Sequence, residues 1–227
     1  MEYRVVKKGR FLERPNRFIA RVELDGAVET VHVKNTGRCR ELLVPDCTVY
    51  LADEGHAARK TRYDLIAVEK AGTGLINMDS QVVNAVAGEW FPQSGLFAAG
   101  ASFRREVTHG NSRFDFAVEE GARRHFVEVK GVTLEQNGVA LFPDAPTLRG
   151  VKHLQELEAC VKQGFGAWVL FVIQMEGMSC FCPNEAMHPQ FAEALRSAAK
   201  AGVHVLAVDC RVAPDRLQVK GFVPVKL

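Results

Sequence analysis

The periodicity of apolar residues changes near residue 80, and this change constrains the fold more than any other feature of the sequence. Before that point, apolar and polar residues alternate over short stretches, as they do in half-buried strands. These stretches are RFIARVEL (17–24), VETVHVK (28–34), CTVYLA (47–52) and TRYDLIAVEK (61–70). Asp25-Gly26, between the first two, is a strong signal for a hairpin turn. Four or five short strands in residues 1–80 predict a small β-barrel, for which the oligonucleotide-binding (OB) fold is one candidate.

Residues 81–227 mix helical and strand patterns, which predicts a different architecture. Asp79-Ser80 is placed to cap a helix over residues 81–91. The further predicted elements are strands near 102–108, 112–118 and 124–131, a helix over 148–163, a buried strand at 168–173, a helix near 188–200 and a strand at 203–208. The fold class is therefore α/β (α+β), with an OB-like barrel at 1–80 followed by a second, mixed domain at 81–227.

The segment between residues 105 and 131 brings acidic residues of separate strands together. If Gly121-Ala122 forms a two-residue turn, Asp115 lies directly opposite Glu128. The other face of this register pairs Phe114 with Val129 and Phe116 with Val127. A one-residue slip would mix the apolar and charged faces, so the pattern favours this register over its neighbours.

A second turn at Gly110-Asn111 would place Glu106 opposite Asp115. Three carboxylates, Glu106, Asp115 and Glu128, would then stand in a row across neighbouring strands. Like charges opposite one another destabilise a sheet by about 0.2 to 1 kcal/mol per pair, so such a row favours a bound cation. Oxygen ligands suit a hard divalent ion, and we expect Mg²⁺ (or Mn²⁺).

Lys130 lies two residues beyond Glu128, so strand alternation puts both side chains on one face. An ammonium beside a metal ion can stabilise negative charge that develops at a phosphate. Asp115, Glu128 and Lys130 are therefore the predicted catalytic residues of a metal-assisted phosphodiester hydrolysis. The alternative is a surface ladder in which Arg113 and Lys130 neutralise the two acids, because salt-bridged exposed strands are common.

Several longer motifs resemble those of one known family. These motifs are similar to motifs of the sugar fermentation stimulation protein A family of bacteria and archaea, and they follow one another over nearly the whole chain: VKNTGR, NMDSQ, SRFDF, FVEVKGVTL and LFPDAPTLRGVKHLQEL. The resemblance implies an OB-like barrel, a second domain of the PD-(D/E)xK nuclease type, and DNA binding with a role in regulating sugar-utilisation genes. Two departures are visible: Phe114 rather than proline precedes Asp115, and the helix reads HLQEL rather than Gln-x-x-x-Tyr.

Positive charge is concentrated at the N-terminus, where residues 1–40 hold ten Lys/Arg and five Asp/Glu although the whole chain has a net charge of only +2. The predicted nucleic-acid contacts of this region are Arg14, Arg17, Lys34, Asn35 and Arg38. Asn35-Thr36-Gly37-Arg38 reads as a loop that can approach a phosphate, or as a charged tight turn. Tyr3, Phe11, Phe18 and Tyr63 are candidates for stacking on bases, although aromatic residues in small barrels are usually core.

The helix predicted over 148–163 carries a polar face set apart from its leucines. Arg149, His153 and Glu156 share this face by helical spacing, and Arg149 and His153 are predicted to contact nucleic acid. The alternatives are that these side chains polarise a water molecule beside a metal ion, or that they form a solvated helix face. Asp144, just before the helix, is either a turn residue or faces the site.

The bulk composition limits the remaining classes of function. No apolar run approaches the ~20 residues of a membrane helix, and no export signal is visible, so we expect a cytoplasmic protein with six reduced cysteines. DNA, single-stranded or duplex, is the predicted partner. Whether the protein also forms a homo-oligomer is left open. Three hypotheses follow: a Mg²⁺-dependent deoxyribonuclease, a non-catalytic and largely sequence-nonspecific DNA-binding regulator, and an RNA-binding protein.

Overall fold

The first part of the chain is a closed β-barrel. The computed structural model describes residues 1–35, 37–53, 55 and 60–227. Its N-terminal strands are β1 (Val6–Asn16), β2 (Ile19–Leu24), β3 (Ala27–Val33), β4 (Thr48–Asp53), β5 (Tyr63–Lys70) and β6 (Gly74–Asn77). They pair in the order β3-β2-β1-β4-β5-β6, and a parallel contact between β3 and β5 closes the first five into the predicted barrel.

The turn between β2 and β3 forms as the sequence indicates. Leu24 pairs with Ala27, and Asp25 and Gly26 between them have positive φ angles of 53° and 81°. Both residues of a type I′ turn need positive φ, which explains the choice of Asp-Gly. Strand β1 has no predicted counterpart because only Phe11 among its side chains is buried, so its apolar alternation is weak.

The second part is the predicted mixed α/β domain. Its helices are α1 (Val83–Trp90), α2 (Leu148–Lys162) and α3 (Pro189–Ala201), and a short 3-10 helix covers Phe91–Gln93. Its strands are β7 (Ser102–His109), β8 (Ser112–Glu120), β9 (Arg123–Val132), β10 (Leu134–Gln136), β11 (Val139–Phe142), β12 (Gly166–Ile173), β13 (Cys180–Pro183), β14 (His204–Ala213) and β15 (Arg216–Val223). The main sheet has the order β15-β14-β12-β9-β8-β7, in which β9, β12 and β14 are parallel. Among the described helices, none has the length and apolar character needed to cross a membrane.

Apolar packing on both faces of the main sheet positions β9 in the interior. Val169 and Phe171 of β12 join the cluster that contains the buried residues of α2 and α3, whereas Leu170 and Val172 join the cluster around α1. The first cluster continues into the barrel, where it includes Phe11. The barrel and the α/β domain therefore share one continuous core.

The predicted helix cap at Asp79-Ser80 is wrong. Helix α1 begins at Val83, and no side chain caps its first turn. Asp79 is fully buried beneath the barrel, where Lys34 Nζ lies 3.5 Å from its Oδ2 atom. Burial and this ion pair hold the aspartate away from the helix N-terminus.

A buried glutamine joins the barrel to the α/β domain. Gln174 follows β12, and its Nε2 donates hydrogen bonds to Asn77 Oδ1 at 2.8 Å and to the Asp79 carbonyl oxygen at 3.0 Å. Its backbone N–H donates to Val132 at the end of β9. These bonds tie the end of β9 to the residues that follow β6.

Candidate functional site

The register of the β8–β9 hairpin brings two of the predicted acidic residues, Asp115 and Glu128, close together. Glu120 pairs with Arg123 across the turn, and the pairing continues in the predicted register to Phe116 and Val127. Beyond that pair, the Asp115 side chain replaces the backbone as hydrogen-bond partner, since its Oδ2 accepts a hydrogen bond from the Val129 N–H at 2.8 Å.

The predicted pair of Phe114 with Val129 is not formed. Phe114 packs with Phe126 in the core cluster of α2 and α3, whereas Phe116 and Val129 lie in the cluster around α1. The alternation of β8 therefore breaks at Asp115, because the aspartate side chain occupies the position where a strand partner would be.

Glu128 is the centre of the site. It is only 3% exposed, and its Oε1 accepts hydrogen bonds from Lys130 Nζ and from His153 Nδ1. Burial would raise the pKa of Glu128, but the bonds from His153 and Lys130 hold it below its ordinary value, so the carboxylate stays charged. Its second oxygen, Oε2, is buried and has no hydrogen-bond partner among the residues that the structure describes.

His153 positions this carboxylate from α2. Its Nε2 atom accepts from Arg149 Nε at 3.3 Å, which assigns the ring proton to Nδ1, facing Glu128. The imidazole is buried. The structure therefore gives His153 an internal role beside Glu128 rather than the predicted contact with nucleic acid, and Arg149, although exposed, also bonds to it.

Asp115 is the second carboxylate, and its charge is destabilised. Burial first, and then the nearby charge of Glu128, raise the pKa of Asp115 above its ordinary value. Its Oδ1 accepts from Asn84 Nδ2 at 2.7 Å, and the Asn84 Oδ1 atom is itself buried with no hydrogen-bond partner in the described part of the chain. Sequence reasoning missed Asn84, although a polar residue in the apolar run VVNAVAG was a usable signal.

Glu106 does not join the other two acids, so the predicted row of three carboxylates is wrong. Its backbone has a positive φ of 56°, and its side chain, 59% exposed, forms an ion pair with Arg113. Alternation on β7 fails at this residue, and the side chain turns toward solvent. Among the residues that the structure describes, no three His, Cys, Asp or Glu side chains form a metal-binding group.

The remaining pair of acids still fits a hard divalent cation. Mg²⁺ is usually bound by one or two carboxylates and keeps several waters, so a third acid is not required. Glu128 Oε2 and Asn84 Oδ1 are buried oxygen atoms without donors, and an unpaired buried acceptor costs about 1 to 3 kcal/mol. A cation between Asp115 and Glu128 would also offset their mutual repulsion.

A second cluster, here called the arginine pocket, lies on the barrel. It is a cavity of about 330 Å³ whose lining includes Arg14, Arg17, Arg38 and Arg40. Arg17, Arg38 and Arg40 are exposed, and within the described part of the chain none of the four pairs with a carboxylate. Unpaired guanidinium groups around a concave surface are suited to phosphate.

Arg14 shapes this pocket from within. Its guanidinium donates hydrogen bonds to the carbonyl oxygens of Asn35, Gly37, Arg38 and Arg17, at 2.7 to 3.0 Å. All of these acceptors are backbone atoms, so Arg14 fastens the loop around residues 35–38 to the β1–β2 turn. Thr36, in the middle of the predicted phosphate loop, lies outside the described residues.

Lys34 and Asn35 are internal rather than exposed to a ligand. Lys34 Nζ lies 2.7 Å from Asp64 Oδ2, and Asp64 is completely buried. Asn35 is buried too, and its Oδ1 accepts from the Gly37 N–H at 2.8 Å. Lys34 was predicted as a nucleic-acid contact from its charge and Asn35 from its place in a predicted loop, and neither signal reveals that the side chain has an internal partner.

Gly37 is placed where no side chain would fit. A Cβ atom at this position would lie 2.0 Å from Asp144 Oδ2. The loop of the barrel therefore rests directly against the segment that precedes α2, which answers the open question about Asp144: it faces the barrel loop.

The fold and this geometry define a two-part protein in which an OB-type barrel is packed against an α/β domain that holds a close pair of acids, the buried Glu128 and the half-buried Asp115. The SfsA N-terminal OB domain model matches residues 12–78, and the sugar fermentation stimulation protein RE domain model matches residues 81–216. The chain belongs to the sugar fermentation stimulation protein family.

Relatives in this family match over the full length. A sugar fermentation stimulation protein homolog of Desulfitobacterium hafniense (strain Y51) is 56% identical over 100% of this chain and 99% of its own. The homolog of Clostridium beijerinckii is 50% identical over 100% of both chains. A solved structure of Pyrococcus furiosus SfsA in complex with Ca²⁺ has a TM-score of 0.88 and 29% identity, and covers 100% of this chain and 98% of that one.

Proposed function

We propose that this protein binds DNA and hydrolyses its phosphodiester bonds with the help of a divalent metal ion. The observation that carries the proposal is the environment of Glu128: a buried, charged carboxylate next to Asp115, with one oxygen unpaired and an ammonium group bonded to the other. A salt-bridged surface ladder, the alternative reading of these residues, would be exposed to solvent. Glu128 is buried and Asp115 is half-buried, which argues against it.

The metal ion would be held by Asp115 and Glu128. The relative from Pyrococcus furiosus was solved with Ca²⁺, which supports binding of a hard divalent ion by this fold. For catalysis we propose Mg²⁺ or Mn²⁺, which when bound lowers the pKa of a water ligand and neutralises charge on a phosphate.

Each neighbouring side chain has a separate task in this proposal. Lys130 holds a positive charge beside the metal site and stabilises negative charge at phosphorus. His153 donates a hydrogen bond to Glu128 Oε1 and leaves Oε2 for the cation, whereas Asn84 and the Val129 N–H each donate to one oxygen of Asp115, and each of these oxygens keeps a second lone pair for the cation. The arginine pocket holds the phosphates of the bound strand.

A non-catalytic regulator of sugar-utilisation genes is the second candidate, favoured by the name that the relatives carry. One experiment separates the two. Single-stranded, duplex and branched DNA are incubated with Mg²⁺, Mn²⁺ or a chelator, and both binding and cutting are measured. Metal-dependent cutting is expected; binding without cutting under every condition would favour the regulator.

Removing either buried acid should abolish binding of the metal. We expect Asp115→Asn and Glu128→Gln to lose the Mg²⁺ or Mn²⁺ binding heat of the parent in calorimetry, because each removes a charge while keeping the shape of the side chain. Glu106→Gln is the matched control, since Glu106 pairs with Arg113 away from the site. If the parent binds no divalent ion, or if only Glu106→Gln loses it, the proposed site is wrong.

The arginine pocket should determine how steeply DNA affinity falls with salt. We expect Arg17→Ala and Arg38→Ala each to weaken binding and to reduce the slope of log affinity against log salt by about one unit. Arg21→Ala is the control, because Arg21 is exposed on the same barrel but bonds to Glu13 at 2.7 Å. If all three variants show the same slope of log affinity against log salt as the parent, the arginine pocket is not part of the interface.

A further inference from the structure

One exposed aromatic side chain borders the arginine pocket. Of the four aromatic residues that the sequence suggested for stacking, Tyr3, Phe11 and Tyr63 are buried in the core. Phe18 is 45% exposed and lies at the turn between β1 and β2. Its neighbour Arg17 lines the pocket, and the Arg17 guanidinium carbon lies 4.8 Å from the centre of the Phe18 ring.

The backbone that carries this ring is held on both sides. Asn16 Oδ1 accepts hydrogen bonds from the N–H groups of Phe18 and Ile19, at 2.9 and 3.1 Å. The Phe18 carbonyl oxygen accepts from the Val33 N–H at 2.8 Å, and the Arg17 carbonyl oxygen accepts from Arg14. The ring is therefore presented from an ordered turn, and binding would cost little further conformational entropy.

The chemistry around Phe18 selects for a flat, apolar ligand that is attached to negative charge. The ring is partly exposed, the Arg17 guanidinium adds a cation that can stack on an aromatic system, and the adjoining pocket holds arginines that pair with no carboxylate among the described residues. A nucleotide combines a flat base with a phosphate. In a duplex the base faces are covered by their neighbours, so only an unstacked base can reach the ring.

We propose that Phe18 is a stacking platform for an unpaired nucleobase whose phosphates enter the arginine pocket. The barrel therefore selects single-stranded DNA, or a single-stranded segment next to a duplex. This inference rests on the proposed DNA binding, but not on catalysis, and it names the form of DNA that the proposed function left open.

The test compares Phe18→Ala with the parent on three ligands of equal length: a single strand, the same strand with abasic residues, and a blunt duplex. We expect Phe18→Ala to weaken binding of the intact strand about tenfold, which corresponds to the loss of about 1.4 kcal/mol of stacking free energy. Binding of the abasic strand and the duplex should be unchanged. The salt dependence should also stay the same, because no phosphate contact is lost.

Two further variants make the comparison specific. Val28→Ala removes another exposed apolar side chain of the barrel, 62% exposed, and should have no effect on any ligand. Phe18→Trp should keep the affinity for the single strand. Equal losses on all ligands, or no loss on the intact strand, would overturn the platform while leaving DNA binding in place. A parent protein that binds none of the ligands would overturn both proposals, and a parent that binds but does not cut would overturn only the catalytic one.

Discussion

Lys130→Ala is expected to slow DNA cleavage about 100-fold or more, comparable to the loss of one oxyanion-stabilising donor in other enzymes. Lys130 donates to Glu128 Oε1 and carries the positive charge nearest to the proposed metal ligands. A protonated lysine has no lone pair with which to bind a metal. Affinity for the metal and for DNA should therefore change little, while the rate falls.

Lys152→Ala is the matched control for this prediction. Lys152 lies on α2 next to His153, but its ammonium group lies 3.6 Å from Glu156 and the side chain is 59% exposed. Single-turnover cleavage with saturating metal and DNA gives the rate of the chemical step for each variant. A Lys130→Ala protein that cuts at the parent rate would remove Lys130 from catalysis.

Lys34→Met is expected to lower the melting temperature by roughly 6 to 20 °C. Removing one partner of a buried ion pair costs about 3 to 5 kcal/mol, and each kcal/mol shifts a protein of this size by about 2 to 4 °C. Lys34 is only 16% exposed and is shared between Asp64 and Asp79, which are both buried. Methionine keeps the length of the stem and removes the charge.

The pH dependence of this effect has a definite sign. Burial raises the pKa of Asp79 although Lys34 opposes the shift, so without the lysine the folded state would hold a proton more tightly still. The folded variant is then favoured below the unfolded pKa and loses this advantage as pH rises, so its deficit should shrink in acid. Lys7→Met, which breaks an exposed pair with Asp25, should leave the melting temperature nearly unchanged. Similar melting temperatures for Lys34→Met and the parent would contradict the structural role of Lys34.

Local sequence signals were sufficient where neighbours in space are also neighbours in the chain. The register that brings Asp115 to Glu128 follows from one two-residue turn, and the shared face of Glu128 and Lys130 follows from strand alternation. The barrel was predictable because most of its strands alternate clearly. Strand β1 was not, since its exposed cations hide the pattern.

The rest of the site depends on packing between distant segments. His153 reaches Glu128 only because α2 lies on β9, and Asn84 reaches Asp115 only because α1 covers the opposite face. Lys34 looked like a surface cation because its partners, Asp64 and Asp79, are far away in the sequence. Glu106 failed for a different reason: a positive φ turned its side chain out of the predicted alternation.

The continuous core between the two parts of the chain fixes the distance between the arginine pocket and the pair of acids. Phe11 of the barrel and Phe114 of the α/β domain belong to one packed cluster, and Asp144 rests on Gly37 where the two parts meet. Close-packed interiors do not deform continuously, so the span from the arginine pocket to the buried acids is set by the fold rather than by a hinge. Under the proposed function, a strand bound in the arginine pocket is therefore expected to be cut a fixed number of nucleotides from that contact, whatever its sequence.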